Sequence, residues 1–162
     1  MTEDDLKQLY AQVLELSHNI PHCERLQQPQ ATVTMVSPLC GSQVTVDLCL
    51  EDGRVTQFGQ KVRACTLGAA AASIVAAALP CRSAQELRVL RQQMQQMLKE
   101  DGPPPDGVFS QLALLEPARD LISRHGSIML IFDALCEALD EIQGVKPPTG
   151  EPAKGIPDTV RA

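Results

Sequence analysis

The chain has 162 residues, of which 44% are apolar but only 2% aromatic (three Phe, one Tyr, no Trp), and its formal charge is −6. That length fits one domain with a core of Ala, Val, Leu, Ile and Met. The acidic balance and the lack of stacking rings exclude a nucleic-acid surface, which needs a basic footprint and aromatic platforms. The opening MTEDDLKQLY is acidic where a secretory leader would be basic and then apolar. The longest low-polarity run, Thr66 to Leu79, is 14 residues, short of the roughly 20 needed to span a bilayer. A soluble, cytoplasmic protein with no membrane partner is expected.

Leu6, Leu9, Tyr10, Val13, Leu14 and Leu16 recur at helical spacing, which predicts an amphipathic helix over about 3–18. Asn19-Ile20-Pro21 ends it, because proline disfavours helix in the residue before it, and 22–30 reads as loop. Three strands follow. ATVTMVS (31–37) is rich in β-branched residues, and QVTVDLCL (43–50) alternates, with Val44, Val46, Leu48 and Leu50 on one side and Thr45, Asp47 and Cys49 on the other. Asp52-Gly53 suits a tight hairpin turn into RVTQFGQKV (54–62). The expected sheet is a three-stranded antiparallel meander buried on one face.

After Cys65 the pattern becomes helical. TLGAAAASIVAAAL is made almost wholly of small residues, so this helix should be buried and closely packed, and Pro80 closes it. Ser83-Ala84-Gln85-Glu86 has the capping-box form, with Leu87, Leu90, Met94 and Met97 continuing at three- and four-residue steps. Three consecutive prolines within 101–107 mark a loop. A helix over about 110–122, a break at 123–126, and a long apolar helix over about 127–142 complete the domain. The fold class is therefore α+β: a three-stranded antiparallel sheet with five helices, one N-terminal and four C-terminal. The domain covers 1–142, and 143–162, rich in Pro, Gly and charge, is a tail too polar to order itself.

Six cysteines stand at 23, 40, 49, 65, 81 and 136, with no CxxC pair. Without a secretory leader, reduced thiols or metal ligands are the stronger reading over disulfides. Two are singled out by position. Cys40 lies in Ser37-Pro38-Leu39-Cys40-Gly41-Ser42, the connection between the first two strands. Cys65 lies where the third strand gives way to the Ala-rich helix, whose positive end favours thiolate. In a meander these two places share one end of the sheet, so both thiols should converge there. Cys49, Cys81 and Cys136 are expected to be packing or surface thiols, and Cys23 sits in a loop that could approach the pair.

The order of these segments resembles the NifU-like/IscU-like (SufU-type) scaffold family of iron–sulfur cluster assembly. LYAQVLELSHNIPHCERL is similar to the family's opening helix and Asn-Pro loop. SPLCGSQVTVDLCLEDGRV resembles its N-P-x-C-G-D stretch, strand and D-G turn. VRACTLGAAAASIVAAAL is similar to G-x-G-C-A-I-S-x-A-S-A-S, with Cys65 and Ser73 in register. LALLEPARDLISRHGSIMLIFDAL runs without gaps against the family's closing segment, with Leu112, Leu115, Arg119, Arg124, Leu130, Ala134 and Leu135 matching. The resemblance covers roughly residues 5–142 in the same order.

What the resemblance implies is a SufE/NifU-like fold on which a labile [2Fe–2S] cluster, or zinc or iron in its place, is held by three cysteines and an aspartate. Cys40 and Cys65 match the first two cysteines. The aspartate position is Ser42. The third cysteine position is Ser127 in the gapless register, or Gly126 if His125-Gly126-Ser127-Ile128 is set against H-C-S-I. A neutral hydroxyl is a poor ligand for iron or zinc, and Ser127 also suits the N-cap of the last helix. His125, adjacent to the lost cysteine, is the candidate third ligand; a surface histidine is the plain alternative.

The expected function is a cluster-assembly scaffold or carrier using Cys40 and Cys65, with two chains sharing one cluster as a homodimer among the arrangements. The alternative is a cluster-less paralogue that docks on, takes persulfide sulfur from, or regulates a cysteine desulfurase. Implied partners are that desulfurase and cluster acceptor or carrier proteins. No acid/base pair, phosphate loop or nucleophile elbow points to an enzyme.

Overall fold

A computed structural model describes residues 2–39 and 41–144. Cys40 and the segment 145–162, most of the expected tail, lie outside the described residues. Helix α1 spans Glu3–His18, followed by strands β1 (Ala31–Val36), β2 (Gln43–Glu51) and β3 (Arg54–Arg63). These form an antiparallel sheet in the order β1-β2-β3, with Val33 opposite Val46 and Val46 opposite Gln60. Asp52 and Gly53 both take positive φ (53° and 75°) at the β2–β3 turn, the combination a primed hairpin turn demands. Helices α2 (Thr66–Ala78) and α3 (Ala84–Lys99), two 3₁₀ segments (Gly107–Asp120 and Ile122–Arg124) and α4 (His125–Gln143) follow. The meander and its helices match the expected α+β architecture.

Helix α4 is the centre of the fold, packing on β1, β2, α2 and α3. Its Ile128, Ile131, Phe132 and Leu135 are fully buried in one core cluster with Val44, Val46, Leu48 and Leu50 of β2. The alanine run explains how α4 gets so close to α2. Gly68 through Ala76 are all buried, and their small side chains let α1, α4 and the first 3₁₀ segment approach the same helix. The capping box at Ser83 and Glu86 forms as expected, and Met94 and Met97 are core residues. Arg88–Asp140 and Arg91–Asp133, each 2.7 Å, tie α3 to α4. Beside them, burial pushes the Cys136 thiol up to about 11. Among the described residues no helix is long and apolar enough to cross a membrane.

Two expectations need correction. The fourth helical segment is 3₁₀ rather than α and begins at Gly107. It contains Pro117, which has no N–H to give an α-helical ladder, and its Ala118 and Arg119 carbonyls are taken by His125 Nε2 (3.0 and 3.1 Å). The sheet, moreover, is buried on both faces. The segment after α1 lies across the face that carries Thr45 and Asp47: a Cβ on Gly59, opposite Asp47, would overlap the Glu24 carbonyl, and along the outer edge of β3 the Gln60 backbone N–H donates to His22 O.

Asp47, with no solvent exposure, anchors this cover. It accepts from Arg25 Nε and Nη2, from the Leu26 backbone N–H (3.0 Å) and from the Thr32 hydroxyl (2.7 Å). Burial alone would raise its pKa, but these hydrogen bonds together outweigh that and hold it below the usual carboxylate range. A buried carboxylate is tolerated only when so fully partnered.

Asp47→Ala should therefore cost about 2–4 kcal/mol of stability, read by urea denaturation at neutral pH. The native carboxyl gives up its proton at lower pH than the unfolded one. Its contribution is thus full above about pH 4 and fades as the pH falls through the native value. The wild-type midpoint should drop across that acid range more steeply than the variant's; parallel curves would refute the role.

Candidate thiol–hydroxyl site

Three chain segments meet at the end of the sheet where β1 turns into β2. The 37–42 connection is closed by Ser37 N–H to Ser42 O (2.8 Å) and Gly41 N–H to Ser37 O (2.9 Å). Gly41 supplies the positive φ (71°) that this tight return needs. The second segment is the exit of β3, where Cys65 forms the N-cap of α2 in extended backbone (φ −64°, ψ 168°). The third is the first turn of α4.

Their side chains form one continuous chain of contacts. The Cys65 thiol donates to Ser127 Oγ (3.3 Å), and the Ser127 hydroxyl donates to Ser42 Oγ (3.0 Å). Ser42 and Ser127 are only 4% and 1% exposed, whereas Cys65 remains partly open. Cys65 caps α2 and Ser127 lies in the first turn of α4, so the positive ends of two helix dipoles lie beside this cluster and favour negative charge there. The exposed Leu39, Leu121 and Ile122 belong to the same connection and to the segment leading into α4.

The structure separates the sequence candidates. It brings Cys65, Ser42 and Ser127 together; Cys40 lies outside the described residues. Ser127 is not the N-cap of the last helix. That position is Arg124, without a side-chain cap, and Ser127 is the third helical residue, aimed at Cys65. The gapless register, which equates residue 127 with the family's third cysteine, is the one in which that position touches Cys65. A side chain at Gly126 would meet Ser37 Oγ instead (3.0 Å). His125 is neither on the surface, at 6% exposure, nor loosely held. A carbonyl can only accept, so Nε2 carries the proton it gives to Ala118 O and Arg119 O. Among the described residues, no three His, Cys, Asp or Glu groups are placed to hold a metal ion. Cys23 and Cys49 donate to the carbonyls of Ile20 and Gln28 in the segment that covers the outer sheet face.

Gly68 was missed by sequence reasoning. A Cβ there would overlap Ser127 Oγ and stand 2.9 Å from Ser127 O, so its missing side chain is what lets α4 deliver Ser127 to Cys65. The available signal was one glycine three residues past the cysteine at the head of an alanine-rich helix.

The arrangement defines an α+β domain with a thiol at a double helix terminus. A NifU-like protein (N-terminal) from Brucella abortus, described as nitrogen-fixing, has the same fold with TM-score 0.83 and 41% identity, covering 86% of this chain and 97% of that one. The chain belongs to the NifU-like family. A hypothetical protein solved at 2.3 Å (TM-score 0.75, 20% identity, 83% and 98% covered) shares the fold. So does a candidate iron–sulfur cluster assembly scaffold protein for the SUF system from Fervidobacterium islandicum AW-1 (TM-score 0.72, 12% identity, 78% and 93% covered). No family model matches the chain, and no curated protein matches it.

Gly68→Ala should force α2 and α4 apart, at a cost of about 1–3 kcal/mol, and free Cys65 from Ser127. A lower thermal midpoint together with faster Cys65 alkylation by iodoacetamide is expected. An unchanged alkylation rate would show that the contact does not depend on this spacing.

Proposed function

We propose that this chain works in iron–sulfur cluster assembly as a scaffold or carrier whose cargo is a labile cluster held through Cys65 and Cys40. The observation that carries the reading is the meeting of Cys65, Ser42 and Ser127 at one end of the sheet. These positions resemble the family's ligand positions, and Ser42 is two residues in sequence from Cys40. Membership of the NifU-like family supports it independently.

The donor set decides how firmly cargo would be held. A [2Fe–2S] cluster takes four ligands, most often thiolates, and one chain here offers two thiols and two neutral hydroxyls at the matching positions. The remaining ligands come from a second copy of the chain or from the receiving protein. Cargo held this way leaves readily, which suits assembly and delivery more than storage. Sulfur would be supplied by a cysteine desulfurase, the product passed to acceptor or carrier proteins, and the setting cytoplasmic. The chain itself is read as a non-enzyme, at most an acceptor of sulfur on a cysteine.

The two hydroxyls also favour a second reading, in which the fold serves as a cluster-less docking, persulfide-accepting or regulatory partner of the desulfurase. Anaerobic reconstitution with ferrous iron and sulfide separates the two. The scaffold reading expects a visible-absorbing cluster that Cys65→Ala or Cys40→Ala abolishes and Cys81→Ala leaves intact, with two chains per cluster by gel filtration. Absence of any cluster, alongside stoichiometric desulfurase binding, would replace it with the second reading.

A further inference from the structure

We infer that Ser127 and Ser42 are specificity-determining residues that keep divalent zinc out of this site while leaving Cys65 available as a hydrogen-bonded thiol. The inference rests on the reading of the site as one that handles sulfur or a cluster, and concerns which species it admits.

Two sulfurs bound to one tetrahedral zinc at about 2.3 Å each lie roughly 3.8 Å apart. Ser127 Oγ is 3.3 Å from Cys65 Sγ, so position 127 already stands where a second zinc ligand would be, and a cation on Cys65 would have to meet this side chain. The atom it would meet is a neutral oxygen, already engaged in hydrogen bonds on both sides. Ser42, the next group in the chain, is neutral as well.

Charge then sharpens the exclusion. The N-termini of α2 and α4 converge here, and such termini favour anions. A dication at such a positive end is held only by strong donors, thiolate, imidazole or carboxylate, that offset the local potential. Of the three described side chains that meet here, one alone can become an anion. Two of them are nearly dry, at 4% and 1% exposure, which leaves little room for water to complete a coordination shell. The same surroundings accept sulfur-borne negative charge, because the Ser127 hydroxyl, 3.3 Å from Cys65 Sγ, can turn its O–H toward a thiolate while accepting from Ser42. Discrimination between a lone dication and anionic sulfur is thus built into two oxygen atoms.

The test is a zinc titration against a chromophoric chelator, with Cys65 alkylation by N-ethylmaleimide followed by peptide mass mapping in parallel. The proteins are the wild type, Ser127→Cys and the double variant Ser42→Asp/Ser127→Cys, with thermal melts reporting their folding. The wild type should show no saturable zinc binding at low micromolar metal, and zinc should not protect Cys65. Ser127→Cys should bind one zinc per chain and protect Cys65. Its gain should exceed about 100-fold, above the range that changes outside the ligand shell produce, and the double variant should bind tighter still. Equal affinity of wild type and Ser127→Cys, whether both tight or both weak, would overturn the inference. If the variants do not fold, the wild type decides alone: stoichiometric zinc that shields Cys65 overturns the exclusion, and unshielded Cys65 supports it. Cluster reconstitution is a separate measurement, so failure of the scaffold reading and failure of this one give different results.

Discussion

The close crossing of α2 and α4 is the constraint on which the rest of the molecule depends. Helix α4 touches the sheet, α2 and α3 at once, and it can do so only because α2 offers hydrogen atoms and methyl groups where other helices offer larger side chains. At Gly68 a single added Cβ would overlap Ser127 of α4. Through this crossing the core gains its density, since interiors packed like organic crystals lose stability for each added or missing methylene. Through it also Ser127 reaches Cys65. Packing and chemistry share one atomic approach.

A second constraint acts on the opposite side of the sheet. Asp47 puts a charge where hydrocarbon would ordinarily sit, and the segment following α1 is folded down to meet it through Arg25 and the Leu26 N–H. With Thr32, Thr34 and Thr45 buried on the same face, and Thr34 and Thr45 hydrogen-bonded to each other, this polar layer needs its cover. The sheet is held between an apolar side facing α4 and a hydrogen-bonded side beneath the segment that joins α1 to β1. Its loops at the thiol end are consequently carried by a frame supported on both sides.

At that end the electrostatics and the donor set pull in one direction. Two helix termini supply positive potential and two hydroxyls supply none of the negative charge that a metal ion requires. A thiol there is suited to sulfur, or to a cluster that brings its own sulfide and shares its ligands between proteins. Membership of the NifU-like family and the local chemistry are the two independent supports of the proposed assembly role.

The alternation in β2, the Asp52-Gly53 turn, the alanine run and the capping box are local signals, and each appears in the fold as the residues dictate, because pleat, turn angle and cap geometry are decided within a few neighbours. The positions of Cys65, Ser42 and Ser127 were legible too, the first as a match and the other two as substituted ligand positions in a collinear resemblance. Other features were not. An aspartate alternating outward reads as solvent-facing, and nothing near Asp47 in sequence announces that Arg25 will cover it. A serine before an apolar helix reads as a cap, yet Ser127 lies in its first turn, aimed at Cys65, because the 3₁₀ segment takes the chain to Arg124 before the helix begins. His125 looks like a free imidazole and is spent on two carbonyls of that segment. Sequence alone determined the elements and which residues could bear chemistry, since propensity and periodicity are local properties. Tertiary structure alone decided which of those residues touch, since contacts between positions 42, 65 and 127 depend on how closely two helices can approach.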